Sequence, residues 1–358
     1  MTTRILVCTL LIASPLGAQL RPVSTFSIVA RDSITGQIGV AVQSHWFAVG
    51  QIVPWAEAGV GAVATQSFVD PSYGKLGLDL LRAGKSAPDA LRALLHGDAA
   101  CAVRQVAMID MKGNVATFTG SRDIIAAGGI AGAQSAPTHV QCGESDGTLT
   151  VGRNFAVQAN LMANDKVWPA MAKGFAESTG DLADRMLAAL DAAQAVGGDI
   201  RGKQSAALLV VNATGTGKPW QDRIFDVRVD DHAEPLAELR RLVAMHRAYN
   251  HMNAGDLAVE HGDAALALRE YAAAERIAAT TQSIPRSRHA EMLFWHAVAL
   301  VNMKRVEESL PLFGRAFELQ PSWRELLPRL PRSGLLPDDS LLIKRIMTSR
   351  PGEAGRGR

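Results

Sequence analysis

Residues Thr25 to Ser44, TFSIVARDSITGQIGVAVQS, read as two short strands joined by a turn. Thr25 to Ala30 alternates and is rich in β-formers, Asp32 to Gly36 supplies turn residues, and Gln37 to Gln43 forms the second strand, so the pair is a hairpin. Val60 to Gln66 (VGAVATQ) makes a third strand, set off by Gly59 and Gly61. Small residues dominate all three, which implies that another layer approaches closely rather than that the sheet faces solvent.

Working outward, Gly77 to Arg82 predicts a helix that stops at Gly84. Ser86 with Asp89 three positions on is a capping-box-like start for another helix, which runs to about His96. Arg104 to Asp110 and Asn114 to Thr119 form a hairpin around Met111-Lys112-Gly113. The glycine-rich stretch 120–150 yields no assignment. Phe155 to Leu161 reads as a strand running into a loop, followed by helices at about 165–177 and 181–196. Gln204 to Asn212 is a buried strand, with Ile224 to Val229 as its partner. Strands and helices are segregated rather than alternating as βαβ, which points to an α+β layered fold.

The composition changes after Pro235. His246 to Glu260 with Ala264 to Ala279, and Glu291 to Val301 with Val306 to Leu319, predict two helix–turn–helix pairs. The spacing of Tyr271, Ala272, Ala297, Phe313 and Ala316, with Pro321 as a stop, suits tetratricopeptide-like repeats. A plain helical bundle capping the first domain fits the same residues. Trp323 to Pro337 is proline-rich and reads as irregular. The expected organisation is a leader at 1–18, an α+β domain at 25–235, a helical domain at 236–346 and a flexible tail at 347–358.

Arg4, the apolar run Ile5 to Ala13, the break at Ser14-Pro15 and the small residues Leu16-Gly17-Ala18 read as an export signal. A periplasmic or extracellular location follows from it; a start codon misplaced upstream of a cytoplasmic protein is the other explanation. The run is far short of the ~20 apolar residues of a membrane span. The 37 basic and 35 acidic side chains leave a net charge of +2, and no basic run interleaves with aromatics, so a dedicated nucleic-acid binder is not expected. Cys101 and Cys142 can form one disulfide in an oxidising compartment or remain two buried thiols. Neither C-x-x-C, H-E-x-x-H nor G-x-G-x-x-G occurs, so no metal and no cofactor is expected. A homodimer is compatible with the composition, which sets no oligomeric state.

No G-x-S-x-G elbow or Ser-His-Asp constellation appears. His45, His96 and His139 read as surface or satisfied histidines, and Asp230-Asp231-His232 as a strand-ending turn rather than a metal cluster. Thr25 stands out for its position at the head of the first strand, just after the leader. A threonine hydroxyl becomes a nucleophile when its own α-amine, of pKa near 8, serves as base. That requires trimming to Thr25; without it, Thr25 is a strand threonine. Asn160 at a strand end has the chemistry to stabilise an oxyanion. Asp199 and Arg201, in a glycine-rich turn, can orient an amine and grip a carboxylate, or can simply form a charged turn.

TFSIVARD (Thr25 to Asp32), TGQIGVAVQS (Thr35 to Ser44), AVGQIVPWAEAGVGAVATQ (Ala48 to Gln66), YGKLGLDLLRAG (Tyr73 to Gly84), VQANLM (Val157 to Met162), GGDIRGKQSAALLVV (Gly197 to Val211) and DVRVDDH (Asp226 to His232) together resemble the domain of unknown function 1028 family. Some members share an ending like PSWRELLPRLPRSGLLPDD (Pro321 to Asp339). That family is similar to the N-terminal-nucleophile (Ntn) hydrolases. The resemblance implies a four-layer αββα sandwich, hydrolysis of an amide bond in a small molecule or peptide, Thr25 as nucleophile, and Asn160, Asp199 and Arg201 as its supporting residues. The sequence departs from the family pattern at Ala159, where glycine is expected before Asn160. The second reading is a non-catalytic exported protein that holds a peptide or partner protein with its sandwich and helical repeats.

Overall fold

Thr25 opens a strand that is paired along both edges, and the whole first part of the chain is laid down around it. The computed structural model describes residues 23–352; the leader at 1–18 and the end of the tail lie outside the described residues. In chain order come β1 (Thr25–Arg31), β2 (Ile38–Ser44), β3 (Pro54–Glu57), β4 (Gly61–Ser67), α1 (Ser72–Arg82), α2 (Ala87–His96), β5 (Arg104–Asp110) and β6 (Asn114–Gly120). Then follow β7 (Gly128–Ala131), β8 (Ala136–Cys142), β9 (Ser145–Arg153), β10 (Phe155–Ala159), α3 (Val167–Glu177), α4 (Leu182–Ala195), β11 (Ser205–Val211), α5 (Pro219–Asp222) and β12 (Arg223–Val229). The remainder is helical: α6 (Pro235–Glu260), α7 (Ala264–Thr280), α8 (Arg286–Asn302), α9 (Val306–Leu319), α10 (Ser322–Leu326) and α11 (Ser340–Met347).

The strands form two six-stranded sheets, in the orders β12-β11-β2-β1-β10-β7 and β3-β4-β5-β6-β9-β8. Every pairing is antiparallel. Side chains alternate across each strand, and the burial follows that period. Val29, Val40, Val42, Ala62, Ala107, Ile109, Val115 and Leu209 form one apolar cluster between the sheets. Phe26, Ile28 and Ala41 point the other way, onto Met171, Phe175, Met186 and Leu190 of α3 and α4. Val63, Met108 and Phe118 meet Leu78, Leu81 and Leu91 of α1 and α2. Both faces of the central strands are therefore buried, as β2, β4 and β11 are along their whole length, whereas the edge strand β8 is exposed.

Some elements differ from the sequence-based expectation. The glycine-rich stretch 120–150 holds β7, β8 and β9, and Pro54–Glu57 adds a short edge strand. Close approach uses the glycines of β9: a Cβ on Gly147 would lie 2.6 Å from the Thr119 carbonyl oxygen, and one on Gly152, just past that stretch, 1.9 Å from the Ala131 carbonyl oxygen. The first helix starts at Ser72, a turn before Gly77. Gly74 sits inside it because the Trp55 ring lies against it, 2.2 Å from where a Cβ would be. Trp323 to Pro337 contains α10 and two single-turn 3₁₀ segments, and α11 follows.

Cys101 and Cys142 form a disulfide with a sequence separation of 41. It ties the end of the exposed edge strand β8 to the turn before β5. Closing a loop of that length restricts the unfolded chain by about 4 kcal/mol on the chain-entropy account.

The helical region does not begin at a clean boundary. Leu236, Leu239 and Val243 on the first turns of α6 belong to the cluster under the first sheet, while Met252 and Ala258 on the same helix pack with Tyr271 and Ala274 of α7. One helix thus joins the two cores. Beyond it, Phe294, Phe313 and Phe317 centre a separate cluster with Leu327 and Ile346. No helix of the described residues is long and apolar enough to cross a membrane.

Candidate functional site

The layer between the sheets is apolar at one end and polar at the other. The polar end begins where β1, β2, β4, β5 and β10 present Thr25, Ser27, Ser44, Gln66, Gln105, Gln158 and Asn160, all without solvent exposure. Buried polar groups must be hydrogen-bonded to be tolerated, and these bond one another. Ser27 Oγ donates to Gln66 Oε1 at 2.6 Å, and Gln66 Nε2 donates to the Thr25 carbonyl at 2.9 Å and to Gln105 Oε1 at 2.7 Å. Gln105 Nε2 donates to the Ala159 carbonyl at 2.9 Å, and Asn160 N donates to the Thr25 carbonyl at 3.2 Å. Thr25 is thereby held from the far side by main-chain and amide contacts.

The hydroxyl of Thr25 lies 2.9 Å from the Val23 carbonyl oxygen and 3.1 Å from Ser44 Oγ. The carbonyl of Ser24, one bond ahead of Thr25, accepts two hydrogen bonds. Ser44 Oγ donates at 2.5 Å and Arg201 Nη2 at 2.8 Å. Arg201 is in turn fixed by Asp199: Nε donates to Oδ1 at 3.1 Å and Nη2 to Oδ2 at 2.8 Å, with the Asp199 side chain fully buried. Asp199 Oδ2 also accepts from the His45 main chain at 3.1 Å. The turn of Gly197 and Gly198, both at positive φ, delivers these side chains to the start of β11.

The structure therefore brings Thr25, Asp199 and Arg201 together. Asn160 stands in the same polar layer, but its Nδ2 donates to Gln105 Oε1 at 2.8 Å rather than to the Ser24 carbonyl, and its Oδ1 has no partner. Ser44, Gln66, Gln105 and Ser67 escaped the sequence reading. Two strands ending alike, GVAVQS at Ser44 and AVATQS at Ser67, carried the signal. His45 is exposed, and His139 pairs with Asp146 at the surface. His232 Nδ1 accepts from the Glu234 N–H, completing the turn before α6.

Ser67 closes the site on the side of the second sheet. Its φ is +67°, a conformation that is uncommon away from glycine. Its hydroxyl donates to Asp123 Oδ1 at 2.5 Å, and Asp123 Oδ2 is buried without a partner. Burial pushes the Asp123 carboxyl up to about 7 from 3.8. The folded protein therefore holds this proton more tightly than the unfolded chain does. The associated stability is complete below pH 3.8 and is lost as pH rises toward 7. Asp123→Asn removes that titration. Relative to the parent, the variant should gain stability between pH 4 and 7, by at most about 4 kcal/mol. Urea unfolding at pH 5 and pH 8 checks this; parallel pH slopes for the two proteins would contradict it.

The family model described as "Family of unknown function (DUF1028)" matches residues 25–138 and 129–239. The chain belongs to the DUF1028 family. Among solved structures, a crystal structure of a DUF1028 protein from Silicibacter pomeroyi is similar at 29% sequence identity. The match covers 62% of this chain and 88% of that one, with a TM-score of 0.48. No curated protein matches the chain.

Proposed function

We propose that the chain is an Ntn hydrolase that breaks an amide bond with Thr25 as nucleophile. In this reading the two sheets and their outer helices are the αββα sandwich of that class. The α6–α7 and α8–α9 hairpins are tetratricopeptide-like repeats that hold a peptide or partner protein. The observation that carries the reading is the double hydrogen bond from Ser44 Oγ and Arg201 Nη2 to the carbonyl ahead of Thr25. Donors already aimed at a carbonyl are what an oxyanion requires, because they need no reorganisation as charge develops.

Once the chain begins at Thr25, its α-amine takes the hydroxyl proton as Oγ1 attacks a substrate carbonyl. Ser44 and Arg201 hold the oxyanion, Asp199 keeps Arg201 in place, and Asn160 braces Thr25 through its main chain. The C–N bond breaks as the departing amine takes a proton, leaving an ester on Oγ1. Water cleaves the ester and restores Thr25.

The test is the intact mass and N-terminal sequence of the protein recovered from its natural compartment, which also tests export. A chain starting at Thr25 supports catalysis. A chain starting at Gln19 keeps the Thr25 nitrogen in an amide, without a base, and supports the non-catalytic binding protein instead.

A further inference from the structure

Val23 and Ser24 are as buried as the strand they precede, each with 0% exposure. They do not merely lead into β1. Val23 forms an isolated antiparallel bridge with Ser67. Its N–H donates to the Ser67 carbonyl at 2.6 Å, and its own carbonyl accepts from the Ser67 N–H at 3.0 Å. That same carbonyl accepts from Thr25 Oγ1 at 2.9 Å. The Val23 side chain joins the apolar cluster between the sheets, a cluster against which Val69 also packs. The Ser24 side chain is enclosed, its hydroxyl without a partner.

These contacts describe seats for an extended peptide, each with a defined chemistry. The seat beside the reacting bond is closed and takes a small side chain. The next one is apolar and sized for a β-branched residue, and it reads the main chain through both polar groups of Ser67. When the chain begins at Thr25, Val23 and Ser24 are gone, and the N–H and C=O of Ser67 lose both partners. Buried main-chain groups of this kind need replacement partners.

We infer that the site takes the acyl side of an extended peptide, with Ser67 as the main-chain dock for the residue one before the cleaved bond's acyl residue. The inference rests on the proposed hydrolase reading, and deepens it from an amide in general to a peptide with a small residue preceded by an apolar one. The bridge is β-augmentation on a scale of one residue: main-chain hydrogen bonds give affinity and the enclosed seats give specificity. A small amide lacking the preceding residue would leave Ser67 unpaired. Asp123, bonded to the Ser67 hydroxyl, is a positioning residue for that dock.

The probe is acetyl-Arg-Pro-Val-Ser, the chain's own residues 21–24, as the free acid, so that binding is read without turnover. Its target is the chain produced with Thr25 as its first residue. Binding is measured by calorimetry and by the rise in melting temperature. The expected result is saturable binding that the untrimmed chain lacks, because its own Val23 and Ser24 fill the seats. N-methylation of the probe's valine nitrogen, which removes the donor to Ser67, should weaken binding at least about tenfold. Equal binding of the methylated probe overturns the inference, as does no binding of either. Should the trimmed chain be unfolded alone, refolding by the parent probe but not by the methylated one supports the dock, and refolding by neither or both overturns it.

The same peptide as a C-terminal anilide separates the two levels of the argument. Binding without release of aniline leaves the dock standing and removes the hydrolase. Hydrolysis of acetyl-serine anilide as fast as the longer peptide does the reverse.

Discussion

In a chain that begins at residue 25, Thr25→Ala should lower amide hydrolysis by roughly a thousandfold or more while leaving the fold intact. Among the described residues, no other hydroxyl occupies an equivalent position. Ser44 Oγ is the nearest alternative, yet its proton is directed at the Ser24 carbonyl oxygen, 2.5 Å away. A group that donates to the carbonyl oxygen cannot at once attack the carbonyl carbon. The structural cost of the substitution is small by comparison. It removes a buried hydroxyl that touches Ser44, worth about 1 kcal/mol, and leaves the Thr25 main chain held by Gln66 and Asn160. Thr25→Ser, which keeps the hydroxyl and the α-amine, should retain most of the activity. Far-ultraviolet circular dichroism and a melting curve establish that the alanine variant is folded. An alanine variant that hydrolyses as well as its parent would take Thr25 out of the mechanism.

How much of this could be read beforehand depends on which force placed each residue. The strand pairs β1–β2 and β5–β6 were legible because alternation and turn residues specify them locally, and the α+β layering followed from strands and helices that are segregated rather than alternating as βαβ. The helix at Ser72–Arg82 was half hidden, since Gly74 reads as a breaker until the Trp55 ring that fills its space is known. The strands of 120–150 were invisible for the same reason: close packing, not propensity, makes glycine the fitting residue at Gly147 and Gly152.

At the site, Asp199 and Arg201 were visible as a charged pair in a glycine turn. Thr25 was visible only by its place after the leader. Gln66 and Gln105 were not visible at all. A glutamine in a strand looks like an ordinary solvent-facing position, and only the register that puts Gln66 opposite Gln105 in the second sheet turns both inward. In the sequence, Val23 and Ser24 belong only to the segment that must be trimmed to free Thr25. Their burial, and the bridge to Ser67, give them a binding role that depends on pairing across 44 residues of chain, from Val23 to Ser67, and no local pattern encodes that.

Arg201→Lys should lower kcat by about 10²- to 10³-fold with a smaller change in KM, the signature of a donor that acts mainly on the oxyanion. Charge is conserved in this variant, so the loss would come from geometry. The guanidinium presents Nε and Nη2 to Asp199 while Nη2 also reaches the Ser24 carbonyl. An ammonium group has no such planar fork. Asp199→Ala should lower kcat comparably, because it frees Arg201 from its one charged anchor among the described residues. It should also destabilise the fold by about 3 kcal/mol, since Asp199 accepts from the main-chain N–H groups of His45 and Arg201 as well. Acting as one unit, the two residues should be non-additive: the double variant Asp199→Ala with Arg201→Ala should be little slower than either single one. Strict additivity of the two losses in kcat would mean that Asp199 touches the reaction independently, and the role of anchor assigned to it would have to be withdrawn.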